Sequence, residues 1–206
     1  MVFSEFLDFN TTYKVELRDF KQWHKGIKYF GFWAIEISSP SCLEKTKIYQ
    51  KHLEDKLHPN YLRQAHITLV ASGLLSNEHF SNDLILKQVK QIKECNIKAF
   101  TLNLSKPNSF STCPYLFIDD SLGKLDFIRK CLHNEISKKI NTRKYIPHVT
   151  LGFYNKVYKT SDIVKKISKL NLHDIEFTVN ELVFAQYETK DIQGPYEVLH
   201  RVKLGK

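Results

Sequence analysis

The sequence predicts an α+β fold of two lobes that face each other across a groove, and two observations lead to this prediction. Strand-like and helix-like segments alternate along the chain, which is typical of mixed folds. In addition, a helix followed by a strand with the pattern His-x-Thr occurs twice, with the histidines at His66 and His148. A repeated unit of this kind indicates an internal duplication. Two equivalent lobes would bring the two strands together about a pseudo-twofold axis.

Length and composition fit a single globular domain. The chain has 206 residues, of which 42% are hydrophobic and 26% charged, so it can bury a sizeable core. We predict that residues 29–206 form one bilobal domain and that residues 1–28, rich in aromatic side chains, form an extension packed on its body. The net charge of +9 suits a polyanionic partner, although a lysine-rich solvated surface gives the same balance.

The first half of the domain begins with an aromatic strand at 29–37. A loose apolar stripe after Pro40 predicts a helix, which Pro59 ends. The first His-x-Thr strand follows at 65–70, and Ser76 opens a second helix with an apolar inner side. The alternating segment 100–104 and the apolar segment 115–118 then predict two strands separated by turn-forming residues.

The second half repeats the order of helix and His-x-Thr strand. Apolar residues at helical spacing predict an amphipathic helix over 122–140, and the second His-x-Thr strand follows at 147–154. A shorter helix carries Ile163, Ile167 and Leu170. The segment 176–185 predicts one long strand, and 196–202 predicts its hairpin partner after a Gly-Pro turn.

The two His-x-Thr strands are the candidate catalytic elements. Side chains two apart on a strand point to the same face, so His66 with Thr68 and His148 with Thr150 each offer an imidazole beside a hydroxyl. Two imidazoles on opposite walls of a groove can act as base and acid in an in-line displacement at phosphorus. The hydroxyls can donate to non-bridging phosphate oxygens. The alternative is two core histidines, each satisfied by a neighbour, beside threonines that only favour strands.

Several other residues are weaker candidates for contacts with a substrate. Basic side chains before the second motif could bind phosphate, and aromatic side chains could stack on a base, although such residues are more often surface charges or core aromatics. These substrate-binding candidates are Arg143, Lys144, Tyr154, Tyr115 and Phe110. Arg63 is a still weaker candidate of the same kind.

The sequence predicts neither a metal site nor a cofactor. The four cysteines form no Cys-x-x-Cys pair, and no histidine lies at zinc-ligand spacing from two of them. We therefore expect reduced cysteines in a cytoplasmic protein. No signal peptide or membrane span is visible, and nothing in the sequence indicates an obligate protein partner.

The chain resembles the two-histidine phosphoesterases, in particular the bacterial 2′-5′ RNA ligase and cyclic phosphodiesterase branch. The resemblance depends on His66-Ile67-Thr68-Leu69 and on Tyr145-Ile146-Pro147-His148-Val149-Thr150-Leu151-Gly152. It implies a bilobal fold in which two antiparallel sheets with outer helices surround a central groove. It also implies a metal-independent phosphodiesterase that acts on 2′,3′-cyclic phosphates or 2′-5′ linkages of RNA or small nucleotides.

Two other functions remain open at this point. One is an enzyme that degrades cyclic oligonucleotide signals, and the other is an RNA-binding module with a vestigial site. Hydrolysis and ligation are the same chemistry with water or a ribose 5′-hydroxyl as nucleophile, so the sequence does not distinguish them.

Overall fold

The structure, a computed structural model, describes residues 3–133 and 145–205. The strands are β1 (Tyr29–Glu36), β2 (His66–Leu74), β3 (Phe100–Ser109), β4 (Pro114–Asp119), β5 (His148–Thr150), β6 (Ile175–Val179), β7 (Glu181–Glu188) and β8 (Tyr196–Lys203). The helices are α1 (Ser4–Leu7), α2 (Lys21–His24), α3 (Pro40–His52), α4 (Asn82–Glu94), α5 (Lys124–His133) and α6 (Thr160–Ile167), with a 3₁₀ turn at Glu54–Lys56. The part of the predicted helix 122–140 beyond residue 133 lies outside the described residues.

The eight described strands form one antiparallel sheet in the order β6-β3-β4-β5-β2-β1-β7-β8. We call β2, β1, β7 and β8 the His66 half and β5, β4, β3 and β6 the His148 half. The two halves meet where Ile67 of β2 pairs with Val149 of β5. The two predicted sheets are therefore the two halves of one sheet, joined through the His-x-Thr strands themselves.

The burial pattern explains why the two motifs share one face. In β2 and β5, Ile67 and Val149 are completely buried, whereas the histidine and threonine on either side of each are only half-buried. The apolar residues point toward the main core, where helices cover the sheet. Because neighbouring side chains on a strand alternate between faces, the histidines and threonines must point to the opposite, groove side.

The predicted long strand 176–185 is interrupted. Residues on either side of Asn180 belong to different strands, β6 and β7. β6 pairs with β3 in the His148 half, whereas β7 pairs with β1 and β8 in the His66 half. A period of two in the sequence shows that each residue is extended, but it cannot show that the chain crosses from one half to the other.

The second His-x-Thr strand is shorter than predicted. It ends at Thr150, and Gly152 then takes a φ of +143°, a conformation that residues with a side chain rarely adopt. The turn brings Phe153 to the groove, where its ring lies 5.7 Å from that of Tyr61. The glycine thus ends the strand and directs an aromatic side chain into the site.

The prediction that all four cysteines are reduced is wrong for two of them. Cys95 at the end of α4 and Cys131 in α5 form a disulfide, and Cys42 and Cys113 are free and buried. The pair lies 36 residues apart, so only the packing of α4 against α5 brings it together.

The N-terminal segment contacts the body at several points. Phe6 lies in the main core, Thr12 N–H donates to the Tyr158 carbonyl at 2.8 Å, and Val15 N–H donates to the Tyr154 carbonyl at 3.0 Å. The division into residues 1–28 and 29–206 remains a prediction. None of the described helices has the length and apolar character of a membrane-spanning segment.

Candidate active site

The register of β2 and β5 places the four motif residues around one point. Ile67 and Val149 pair directly in an antiparallel arrangement, so His66 lies opposite Thr150 and Thr68 lies opposite His148. The two histidines are then diagonal neighbours, and such residues lie about 7–8 Å apart in an antiparallel pair. The site is a square in which the imidazoles occupy one diagonal and the hydroxyls the other.

The two imidazoles are held in the same way. Nδ1 of His66 bonds to the Gln64 carbonyl at 2.8 Å, and Nδ1 of His148 bonds to the Ile146 carbonyl at 2.7 Å. A carbonyl oxygen only accepts, so Nδ1 carries the proton in both rings. Nε2 of each ring has no partner among the described residues and is free to accept or donate a proton.

Each imidazole is flanked by two aromatic rings, one phenylalanine and one tyrosine. The ring centroids are separated by 5.3 Å for Phe32 and His66, 5.2 Å for Tyr196 and His66, 5.0 Å for Phe110 and His148, and 5.2 Å for Tyr115 and His148. The aromatic walls exclude water from the rings and so disfavour the charged form of each imidazole.

Burial lowers the pKa of both histidines. The pKa of His66 falls to about 4, chiefly through desolvation; the bond to the Gln64 carbonyl opposes this, and the positive charges of Arg63 and His148 add to it. Desolvation also lowers the pKa of His148, opposed by the bond to the Ile146 carbonyl. Both rings are therefore neutral in the free protein near pH 7, and an anion bound between them would favour protonation of one.

A cavity of about 300 Å³ opens beside His66 and is lined by Thr68, Thr150 and Arg63. The guanidinium of Arg63 lies 4.0 Å from the centre of the Tyr187 ring. Among the residues that the structure describes, no other lysine or arginine lines this cavity. A cation beside two hydroxyl groups suits an anionic ligand.

Arg63 is only partly satisfied by the protein. Its Nη2 donates to the carbonyls of Asp191 at 3.3 Å and Ile192 at 2.9 Å. Its buried Nε has no acceptor among the described residues. The sequence signal for Arg63 was weak, since only its position three residues before the first motif histidine distinguishes it from other surface arginines.

The other predicted contact residues have different outcomes. Tyr154 is completely buried, and its hydroxyl is 2.7 Å from that of Ser109, so the prediction that it stacks on a base is wrong. Phe110 and Tyr115 lie against each other at 4.4 Å beside His148. They line a second cavity, of about 590 Å³, on that side. Arg143 and Lys144 lie outside the described residues.

The described residues contain no group of three His, Cys, Asp or Glu side chains that could hold a metal ion. The groups that the described residues bring to this face of the sheet include two imidazoles, two threonine hydroxyls and a guanidinium. This set can move protons and hold an anion.

Comparisons with known proteins identify the family and the fold. A family model described as the 2′-5′ RNA ligase superfamily matches residues 39–191. No curated protein sequence matches the chain significantly.

Several solved structures share the fold. E. coli LigT complexed with 3′-AMP superposes with a TM-score of 0.61 at 16% identity, covering 87% of this chain and 99% of LigT. TT0787 of Thermus thermophilus superposes with a TM-score of 0.58 at 15% identity, covering 86% of this chain and 99% of TT0787. A crystal structure described as a phosphoesterase superposes with a TM-score of 0.57 at 16% identity, covering 86% of this chain and 99% of the phosphoesterase. At such identities the likeness concerns the fold, and the predicted fold class is confirmed.

Proposed function

Because this chain belongs to the 2′-5′ RNA ligase superfamily of two-histidine phosphoesterases, we propose that it is a phosphodiesterase for 2′,3′-cyclic phosphates or 2′-5′ linkages of RNA or small nucleotides. Family membership supports a phosphoesterase-type enzyme. The observation that carries the finer proposal is the diagonal of two imidazoles with free Nε2 atoms on one face of the sheet. The match to a LigT structure complexed with 3′-AMP fits a nucleoside phosphate as ligand.

In the proposed reaction, the phosphate lies between the two imidazoles. One neutral Nε2 takes a proton from the attacking water as its oxygen bonds to phosphorus. The opposite imidazole, protonated when the anion is bound, gives its proton to the leaving ribose oxygen as the P–O bond breaks. This satisfies the in-line requirement that base and acid meet opposite sides of phosphorus. With a ribose 5′-hydroxyl in place of water, the same steps form a 2′-5′ linkage.

The remaining polar groups hold the charge that develops on the phosphate. The hydroxyls of Thr68 and Thr150 donate to the non-bridging oxygens from the other diagonal of the square. Arg63, three residues before His66, supplies the positive charge of the cavity. Its Nη1 is available for the substrate, since the bonds to the two loop carbonyls come from Nη2.

A substrate panel in excess EDTA tests the proposal. The panel contains nucleoside 2′,3′-cyclic phosphates, 2′-5′ and 3′-5′ dinucleotides, and cyclic di- and trinucleotides. We expect turnover of a cyclic phosphate or a 2′-5′ linkage, since the acid and base are side chains. Turnover confined to cyclic oligonucleotides, or activity lost with EDTA and restored by a divalent ion, would contradict it.

Replacing either motif histidine by alanine should abolish this turnover. His173→Ala, at an exposed histidine before β6, is the control for these two variants.

A further inference from the structure

A row of aromatic rings continues from the catalytic square to the N-terminal segment. The rings follow one another from His66 toward the edge of the groove. Centroid distances are 5.3 Å for His66 and Phe32, 5.9 Å for Phe32 and Tyr187, 5.5 Å for Tyr187 and Phe30, and 5.6 Å for Phe30 and Trp23. Phe32, Tyr187 and Phe30 also line the cavity beside His66, so the row is continuous with the proposed site.

Trp23 ends the row and is held there by the protein. It lies in α2, and the next residue, His24, is buried with its Nε2 2.6 Å from an Asp19 carboxylate oxygen. Gly26 N–H donates to His24 Nδ1 at 3.0 Å, which closes the turn that follows the helix. The Thr189 hydroxyl donates to the Ile27 carbonyl and so fixes the segment to the end of β7.

The indole of Trp23 nevertheless keeps an open surface. Trp23 is 43% exposed, whereas the other tryptophan, Trp33, is completely buried and donates its indole N–H to Gln88. The Trp23 and Phe30 rings are inclined by only 31°, so they present nearly parallel faces. Exposed aromatic faces of this kind are platforms for nucleobases, because every base has a π-face.

Positive charge accompanies the aromatic row. Lys21, Lys25 and Lys28 surround Trp23 in the sequence and are all exposed, and no acidic residue lies between 21 and 28. Glu188 beside them is paired with Lys28 at 3.5 Å and Lys190 at 3.0 Å. Aromatic platforms combined with cations that follow the backbone are the usual means of binding single-stranded nucleic acid.

We infer that Tyr187, Phe30 and Trp23 form a subsite for the nucleotide that precedes the one carrying the scissile phosphate, so that the preferred substrate is an RNA strand of at least two nucleotides. The inference rests on the proposed function and deepens it. Arg63 lies over Tyr187, so the cation that would bind the scissile phosphate adjoins the platform. The family model match begins at residue 39, so Trp23 and Phe30 lie outside the matched residues, whereas Arg63 and Tyr187 lie within them.

The kinetic test compares a dinucleotide that ends in a 2′,3′-cyclic phosphate with the corresponding mononucleoside cyclic phosphate. We expect the wild type to prefer the dinucleotide. Trp23→Ala should lower kcat/KM for the dinucleotide about 5- to 100-fold, mainly through KM, because stacking of one base on an aromatic ring is of this size. The mononucleoside substrate should be unaffected, and Trp23→Phe should recover most of the loss.

The control is Leu17→Ala, which removes an equally exposed apolar side chain of the same N-terminal segment outside the row. It should leave both substrates unchanged. If the wild type turns over both substrates with equal kcat/KM, or if Trp23→Ala changes both equally, the subsite is overturned while the proposed function stands.

A fluorescence titration tests the subsite without turnover. In a His148→Ala background, a single-stranded oligoribonucleotide should quench the exposed Trp23, and Trp23→Phe should abolish the quenching because Trp33 is buried. Quenching should weaken with salt. Oligonucleotide-dependent quenching with an inactive substrate panel would refute the proposed function alone. Absence of quenching would overturn the subsite.

Discussion

The His66 half and the His148 half present the same two side chains, a histidine and a threonine, in different surroundings. In both, Nδ1 of the histidine bonds to the carbonyl two residues earlier. Three residues before each histidine the halves differ. Arg63 in the first half lies over the Tyr187 ring, whereas Tyr145 in the second half lies under the Arg129 guanidinium at 3.8 Å. Each half thus has an arginine–tyrosine cation–π contact, but the residue three positions before the histidine is the arginine in one half and the tyrosine in the other.

The exchange gives the two arginines different tasks. Arg63 is free to offer donors to the cavity. Arg129 donates to the Leu69 carbonyl, and the Tyr145 hydroxyl donates to the Thr68 carbonyl at 2.9 Å, so this pair supports the backbone of β2. In the proposed reaction, the symmetric part of the site supplies the acid and the base, and the asymmetric part is where the two sides of a substrate would be distinguished.

The largest effect is expected from the histidines, and it tests the symmetry of the two halves. His66→Ala and His148→Ala should each lower single-turnover rates on a cyclic phosphate by at least about 10²-fold. The double variant should lose much less than the product, because the two imidazoles act as one unit. If either folded single variant keeps near-full rate from pH 5 to 9, the acid–base assignment is wrong.

Arg63 and Tyr145 test the asymmetry. Arg63→Gln should lower kcat/KM about 10- to 100-fold, the usual size of a lost charged hydrogen bond, and it should also lower the free energy of unfolding because it removes the bonds to the Asp191 and Ile192 carbonyls. Tyr145→Phe should lower the free energy of unfolding by about 1 kcal/mol through the lost bond to Thr68, with a smaller effect on catalysis. Steady-state kinetics and urea unfolding of both variants measure the contrast. Equal effects of the two changes on kcat/KM would contradict the division of tasks.

A smaller loss is expected from the two threonines. Thr68→Val and Thr150→Val keep the shape of the side chain and remove one neutral donor, so each should slow the chemical step about 5- to 10-fold. Because the two hydroxyls occupy equivalent corners of the square, the losses should be similar, with substrate binding nearly unchanged. Single-turnover rates at saturating substrate measure this; a change in binding alone would show that the hydroxyls do not act on the transition state.

The sequence predicted the symmetric part of this molecule better than the asymmetric part. His66 and His148 stand out in the sequence because the motif repeats, and strand periodicity predicts the face on which their side chains lie. The sequence gives little signal for Arg63, and the prediction that Tyr154 stacks on a base is wrong, because neither residue belongs to the repeat. Their roles depend on the loop that carries Asp191 and on the burial of Tyr154 against Ser109, and these contacts join residues far apart in the sequence.

The prediction of one long strand at 176–185 and the prediction of reduced cysteines are wrong for the same reason. Local pattern shows that a segment is extended or helical, but it carries no information about which strand or helix is its neighbour. Asn180 separates two strands with different partners, and Cys95 meets Cys131 only when two helices pack together. The sequence therefore predicts the repeated motif but not the neighbours of either segment in the fold.

The smallest expected effect is electrostatic, and it separates the two histidines. The charge of Arg63 helps to lower the pKa of His66 to about 4, whereas the pKa of His148 is lowered by desolvation, with no contribution from a charged group among the described residues. Removing a nearby positive charge favours the imidazolium form. Arg63→Gln should therefore raise the pKa of His66 and leave that of His148 unchanged in an NMR titration of the ring protons. Inorganic phosphate should raise both pKa values, because an anion stabilises either imidazolium.

The same shift predicts a pH dependence of stability. A histidine with a pKa of about 4 in the folded state and about 6.5 in the unfolded state binds more protons when unfolded between these values. The free energy of unfolding should therefore fall as the pH falls from about 6.5 to about 4. Because Arg63→Gln raises the folded-state pKa, this variant should lose less stability than the wild type over that range. Urea unfolding at pH 7 and 4.5 gives the comparison, and an equal loss in both proteins would show that Arg63 does not act on His66.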